Sequence, residues 1–355
     1  MQVKRKDLEK AVEIDILSSS QAESLWSFLR AQNKDIPSFQ MTHILYYFGG
    51  MIAIGAMSLF MTLGWERFGG FGLFVICVIY AILLIILTEV FLIRQLVIPA
   101  GIFATLVVVL VPLAVYGLQA SLGYWDDHTS YRNYHRYIDW RWAIMELSTL
   151  AIGVFMVYRY RLPFLVMPVA VTLWYMSMDL APLFVQLFGW VHAKDDFFGS
   201  YWELKQNISL WFGLWMIAVA FIVDIKNKTS KDFSFWLYFW GVLAFWGALS
   251  SMHSDSELSK FFYCCINVLM IFVGAMIGRK VFVVFGGLGV AFYLGRLSYV
   301  VFEDSILFPF ALTFIGLLIV SMGIYWQRHE ERIHHVLKQI LPLQLRILLE
   351  KSSMN

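Results

Sequence analysis

Residues 69–93 read GGFGLFVICVIYAILLIILTEVFLI, twenty-five positions with one charged side chain, Glu89. A helix of about 20 apolar residues crosses the roughly 30 Å hydrocarbon core of a bilayer. No face of this stretch is polar, and no alternation of apolar and polar residues runs along it. It therefore reads neither as a soluble amphipathic helix nor as a barrel strand. Similar runs recur along the chain, giving ten apolar segments at about 42–64, 69–93, 97–120, 142–158, 162–190, 208–225, 234–251, 259–277, 281–298 and 306–326.

The whole composition agrees. Of 355 residues, 60% are hydrophobic, 17% aromatic and only 15% charged, where a soluble domain carries about a quarter charged. A soluble chain could not hide so much apolar surface. The expected class is all-α: a polytopic membrane helical bundle of about ten transmembrane helices. Soluble enzymes, nucleic-acid binders and disordered scaffolds are excluded. The formal net charge of +2 implies no polyanionic partner.

Three parts are expected: residues 1–41, a helical hairpin at the membrane surface; 42–326, the ten-helix domain with a large outer loop at 121–141; and 327–355, an amphipathic tail. In the first part, Ser20 and Glu23 fit a capping box that starts a helix through Ala22, Leu25, Trp26 and Leu29. Leu8 to Ile14 reads as a second short helix, Asp15 to Ser19 as the turn, and Pro37 as the break before the first span. No apolar stretch follows Lys4, Arg5 and Lys6 for about 35 residues, so this is no cleavable leader. The fifth segment is too long for one span and is expected to break near Asp179, leaving 181–190 as an outer interfacial helix. In the tail, Ile333, Val336, Leu337, Ile340 and Leu341 share one helical face, and Pro342 should kink it. Cys77, Cys264 and Cys265 lie in apolar runs and read as packing residues, not a disulfide framework.

Basic residues set the orientation. With a cytoplasmic N-terminus, nineteen Lys and Arg fall on the inner side and eight on the outer. Both termini are then cytoplasmic. There is also an internal echo: Arg161–Ser177 and Arg279–Gly295 share the arginine, Phe164/Phe282, Val166/Val284 and Tyr175/Tyr293. Four identities in seventeen, where apolar composition alone gives about one or two, are compatible with duplication of helical pair 4–5 as pair 8–9, a device common among transporters but found in other membrane proteins too.

Ionisable groups inside spans are costly and point to function or to pairing. Glu89 lies near the inner end of span 2 and reads as an interfacial carboxylate. Glu146, Asp179 and Arg296 lie near the outer ends of spans 4, 5 and 9, with Arg141 beside them. They are expected to form one outward-facing polar cluster: Glu146, Asp179, Arg296 and Arg141. An ion pair locking helices together is the competing reading of the same residues. His128, His135, His192 and His253 are scattered over three loops without metal-site spacing, so no metal is expected. No catalytic motif and no cofactor fingerprint is present. Gly286-Gly287-Leu288-Gly289 reads as a close helix contact.

Several stretches resemble a known family: Trp65-Glu66-Arg67-Phe68-Gly69-Gly70, Leu173-Trp174-Tyr175-Met176-Ser177-Met178-Asp179-Leu180, Ser254-Asp255-Ser256-Glu257-Leu258, Phe285-Gly286-Gly287-Leu288-Gly289 and Phe308-Pro309-Phe310-Ala311-Leu312. The chain resembles a bacterial family of multi-pass membrane proteins defined by a domain of unknown function. The resemblance covers nearly the whole chain. It implies a short helical N-terminal segment, about ten spans and a place in the bacterial inner membrane, and it carries no catalytic residues.

Three functions compete. The first is a small-molecule permease or exporter, resting on the ten spans, the echo and the polar cluster. The second is a non-catalytic membrane scaffold or accessory subunit with a protein partner. The third, ranked last, is an intramembrane enzyme acting on a lipid-linked substrate through Asp126, Asp127 and Asp139. Lipid is the one partner common to all three.

Overall fold

The computed structural model describes residues 8, 11–12, 16–32, 41–125, 140–179, 197–227, 231–252 and 256–297, with Phe310, Thr313, Leu317 and Ser321 besides. Among the described residues there are helices and no strands. The helices are α1 (Ser19–Gln32), α2 (Met41–Ile93), α3 (Val97–Ser121), α4 (Trp140–Tyr160), α5 (Val166–Asp179), α6 (Phe197–Lys226), α7 (Ser234–Ser251), α8 (Glu257–Ile277) and α9 (Lys280–Arg296). A single 3-10 turn, Pro163–Leu165, leads into α5.

Among the described residues, five stretches are long and apolar enough to cross a membrane: Phe68–Ile93, Val97–Ser121, Trp140–Tyr160, Trp202–Lys226 and Glu257–Ile277. α7, with 18 residues, is not among them. α9 has only 17 residues, four of them glycine. The outer helix at 181–190, the C-terminal tail, residues 126–139 of the large outer loop and all of the expected tenth segment but Phe310, Thr313, Leu317 and Ser321 lie outside the described residues.

The helix start expected at Ser20 lies two residues earlier. The Ser18 backbone N–H donates to Gln21 Oε1 at 3.0 Å, and the Gln21 N–H donates to Ser18 Oγ at 3.2 Å. This is a reciprocal capping box with glutamine in place of glutamate. Both serines fit the pattern; starting at Ser18 lengthens the helix and still satisfies two free N–H groups.

The chain divides into two compact units. The first holds α2, α3, the last turn of α4, Leu162–Leu165 and residues 228–232. The first two apolar segments are one helix, α2, interrupted at Gly69 (φ +63°). A left-handed φ is open to glycine at little cost. A Cβ on Gly50 would sit 2.9 Å from Ile102, and the Phe91 ring stacks on Phe103 at 5.4 Å. Both ends of α2 therefore meet α3 near residue 102, so the chain turns back between them. Close approach at the other end is made by glycines: a Cβ on Gly70 would lie 2.7 Å from the Gly117 carbonyl oxygen. α3 is the central helix, with 67% of its span buried, whereas only 11% of the span in α2 is covered. Ala100, Ala104, Val107 and Val108 of α3 pack with Met156, Leu162 and Leu165. Cys77 is buried beside Leu73, Leu110 and Leu113.

The second unit holds most of α4 together with α5 to α9. α6 packs along α7, and α8 along α9, with α5 against α6 and α7. Its core is Ala220, Tyr238, Val242, Met270 and Phe282. The α8–α9 turn ends on Gly278 in the left-handed conformation. Gly286 and Gly289 face α8, where a Cβ on Gly289 would run into the Asn267 side chain. This is the close contact expected from the glycine run.

Candidate functional site

In the second unit, α4 presents Glu146 and α5 ends on Asp179. The two carboxyl groups are neighbours, within reach of a side-chain hydrogen bond. Glu146 is 8% exposed, and its Oε1 has no hydrogen-bond partner. Lys205 of α6, half-buried, interacts electrostatically with Asp179. Three helices thus bring two acids and one base to the same place.

Hydrogen bonds fix the helices that carry them. The Trp174 Nε1–H donates to Ser209 Oγ at 2.8 Å, and the Ser209 hydroxyl donates to the Ala244 carbonyl at 3.2 Å. This chain ties α5 through α6 to α7. One residue beyond Lys205, the Gln206 amide donates to Ser251 at both its carbonyl (2.8 Å) and its Oγ (3.0 Å). Lys205 and Asp179 are therefore set on helices that cannot slide freely past one another.

The other two members of the expected cluster have different partners. The Arg296 guanidinium donates to both oxygens of Glu257, at 2.8 and 3.2 Å, and Lys260 donates to the same carboxylate at 3.0 Å. Arg141 donates to the Tyr124 carbonyl at 2.6 Å and covers the Trp125 ring at 4.7 Å. The structure thus brings Glu146 and Asp179 together and engages Arg296 and Arg141 elsewhere.

Glu257 was legible in principle. A helical hairpin through Gly278 places the start of α8 beside the end of α9, so Glu257 and Arg296 must be neighbours. Lys205 was also legible, because it begins an apolar span at the same end as the two acids. Asp224 gave no sequence signal beyond its place at the end of a span. It takes two bonds from Arg279, at 2.6 and 3.3 Å, while Arg279 also donates to Ser234 Oγ at 3.0 Å and lies over the Tyr238 ring. Few atoms of this group reach solvent, and it joins α6, α7 and the start of α9.

Glu89 accepts a hydrogen bond from the Tyr160 hydroxyl at 2.9 Å and lies 3.7 Å from Arg159. It is a half-exposed carboxylate. His128, His135, His192, His253, Asp126, Asp127 and Asp139 lie outside the described residues. Among the described residues no three His, Cys, Asp or Glu side chains form a group able to hold a metal. The described groove in the protein lies in the first unit and is apolar.

Comparison with protein-family models, with curated proteins and with solved structures gave no match.

Proposed function

We propose that the chain is a multi-pass protein of the bacterial inner membrane, a member of the family it resembles, with ten spans and both termini cytoplasmic. In this reading it is a small-molecule permease or exporter. Its polar site is Glu146 and Asp179 with Lys205, at the outward-facing end.

The observation that supports this is the orphaned oxygen of Glu146, buried on a helix apolar enough to span. A buried carboxyl oxygen without a partner carries a desolvation penalty of roughly 1–3 kcal/mol. An ion pair serving only to lock helices would satisfy both oxygens, as Asp224 and Glu257 do. Two carboxyl groups in contact repel unless a proton bridges them, because neither carboxylate can donate. The site therefore suits a cationic or hydrogen-bonding solute, or the proton itself.

The test is flux. Purified protein in proteoliposomes should move one member of a broad metabolite panel, and Glu146→Gln should abolish that movement while the protein stays folded. Absence of flux and of any ligand-dependent stabilisation across the panel would end the permease reading.

The second reading, a non-catalytic scaffold or accessory subunit, draws on the broad apolar faces left uncovered. Only 17% of the α8 span is buried, and Phe261, Phe262, Leu269 and Phe272 all face outward. Lipid or a partner helix fits such a face equally well. Copurification of a stoichiometric partner from native membranes would favour this reading, and a strictly solitary protein would count against it.

A further inference from the structure

One end of the first unit combines an apolar groove with a basic rim, and nothing in the permease reading uses either. The groove has a volume of about 360 Å³ and is lined by Phe91, Leu96, Pro99, Ile102, Phe103 and Leu106, among others, all apolar. That volume falls in the range of about 300–1,000 Å³ typical of small-molecule sites. The stacked rings of Phe91 and Phe103 form part of its wall. Gly49 and Gly50 widen it from the first half of α2, and a Cβ on Gly49 would meet nothing within 4 Å.

The rim lies at the same end. Arg94 is exposed on the turn between α2 and α3, two residues before Leu96 of the groove. Glu89 ties the end of α4 to that turn through Tyr160 and Arg159, and the Arg159 side chain is 61% exposed. Arg161 follows, exposed, and its carbonyl accepts a hydrogen bond from Lys231 at 3.3 Å. Phe164, three residues on, packs on Gly101 beside Ile102. Arg94, Arg159, Arg161 and Lys231 therefore lie at the turns on this side of the unit, with the carboxylates Glu89 and Asp232 beside them.

Backbone geometry adds an independent observation. Gln95 (φ +62°) and Arg161 (φ +52°) are in the left-handed region, where glycine is the residue of lowest cost. The corresponding turn between α8 and α9 uses glycine, Gly278 (φ +74°). The α4–α5 turn keeps an arginine, exposed, in that conformation, where a residue of lower cost was open to it.

We infer that this end of the first unit is a binding site for an anionic glycerophospholipid, with the phosphate on Arg94, Arg159, Arg161 and Lys231 and one acyl chain in the groove. Charge and apolarity are complementary to the two halves of that one molecule. Basic pockets at the cytoplasmic ends of spans bind anionic head groups in the same way. The inference rests on membrane placement and is independent of any transport.

Delipidated full-length protein in neutral detergent would be titrated with phosphatidylglycerol and, separately, with phosphatidylcholine of the same chains. Binding would be read by native mass spectrometry and by the shift in Tm. The expected result is at least tenfold tighter binding of phosphatidylglycerol. An Arg94→Gln/Arg161→Gln variant should lose that preference. Gly49→Phe, which fills the groove and leaves the rim intact, should weaken phosphatidylglycerol binding at least fivefold. Equal binding of the two lipids to the wild type would overturn the inference, whether or not the variants fold. So would an equal Tm shift with inorganic phosphate alone. A chain soluble without detergent would instead remove the membrane placement itself.

Discussion

Glu146 and Asp224 are each 8% exposed, yet they are treated differently by their surroundings. Asp224 receives two bonds from Arg279, so both of its oxygens are satisfied. Glu146 meets another acid and leaves one oxygen unpartnered. The two sites therefore predict opposite responses to mutation. Arg279→Ala should strip Asp224 of its charge partner and destabilise the protein by about 3 kcal/mol, measurable as a lowered Tm. Glu146→Gln should leave Tm within a few degrees of the wild type, because it removes charge at a site that was already strained. Arg296→Gln, at an exposed pair, should change stability very little. A further residue-scale expectation concerns the left-handed turn: Gln95→Gly should stabilise the fold by about 1 kcal/mol. Denaturant unfolding in detergent checks it, and a loss of stability would show that the Gln95 side chain contributes more than its backbone costs. The sequence pointed to Glu146 and Asp179 because charge inside an apolar run is conspicuous. It did not reveal that Arg296 has Glu257 as its partner. Depth along a span can be counted from the sequence, whereas the neighbour at that depth depends on which helices pack side by side.

Helices in both units meet through glycine. Gly70 lies against Gly117, Gly213 against Gly241, and Gly286 and Gly289 against the Asn267 segment. In lipid no hydrophobic drive separates helix–helix from helix–lipid contact, so close backbone approach has to supply the attraction. Gly213→Val is thus expected to part α6 from α7, since even a Cβ would lie 2.7 Å from the Gly241 carbonyl oxygen. Loss of protease resistance in α6 and α7, with α2 and α3 unaffected, is the result to look for. The glycine run in α9 was readable as a contact because small residues at that spacing have few other uses. The turn at Gly69 was not. Trp65-Glu66-Arg67-Phe68 reads as a polar loop, but the helix continues through it and breaks only where glycine permits a positive φ. The capping box at Ser18 and Gln21 shows the same limit, because two serines two residues apart offered equivalent patterns. The echo between Arg161–Ser177 and Arg279–Gly295 does not extend to the packing partner: Phe164 packs on Gly101 of α3, and Phe282 on Gly274 of the helix just before it.

At the scale of the whole molecule, composition alone indicated the solvent, since 60% hydrophobic residues leave no other consistent class. The structure is helical among its described residues and has five helices fit to span. Its outward faces carry Phe71, Ile79, Ile82, Ile86, Phe155, Trp211 and Phe292, which water would not tolerate in such number. Ten spans and two cytoplasmic ends are our proposal, drawn from counting apolar segments and basic residues in the sequence. The most direct test of this account is alkaline phosphatase fused after Asn355 and assayed in intact bacteria. A cytoplasmic terminus predicts negligible phosphatase activity from a fusion that is expressed at full length. Strong activity would place that terminus outside, contradicting the even number of crossings and, with it, the outward-facing position of Glu146 and Asp179.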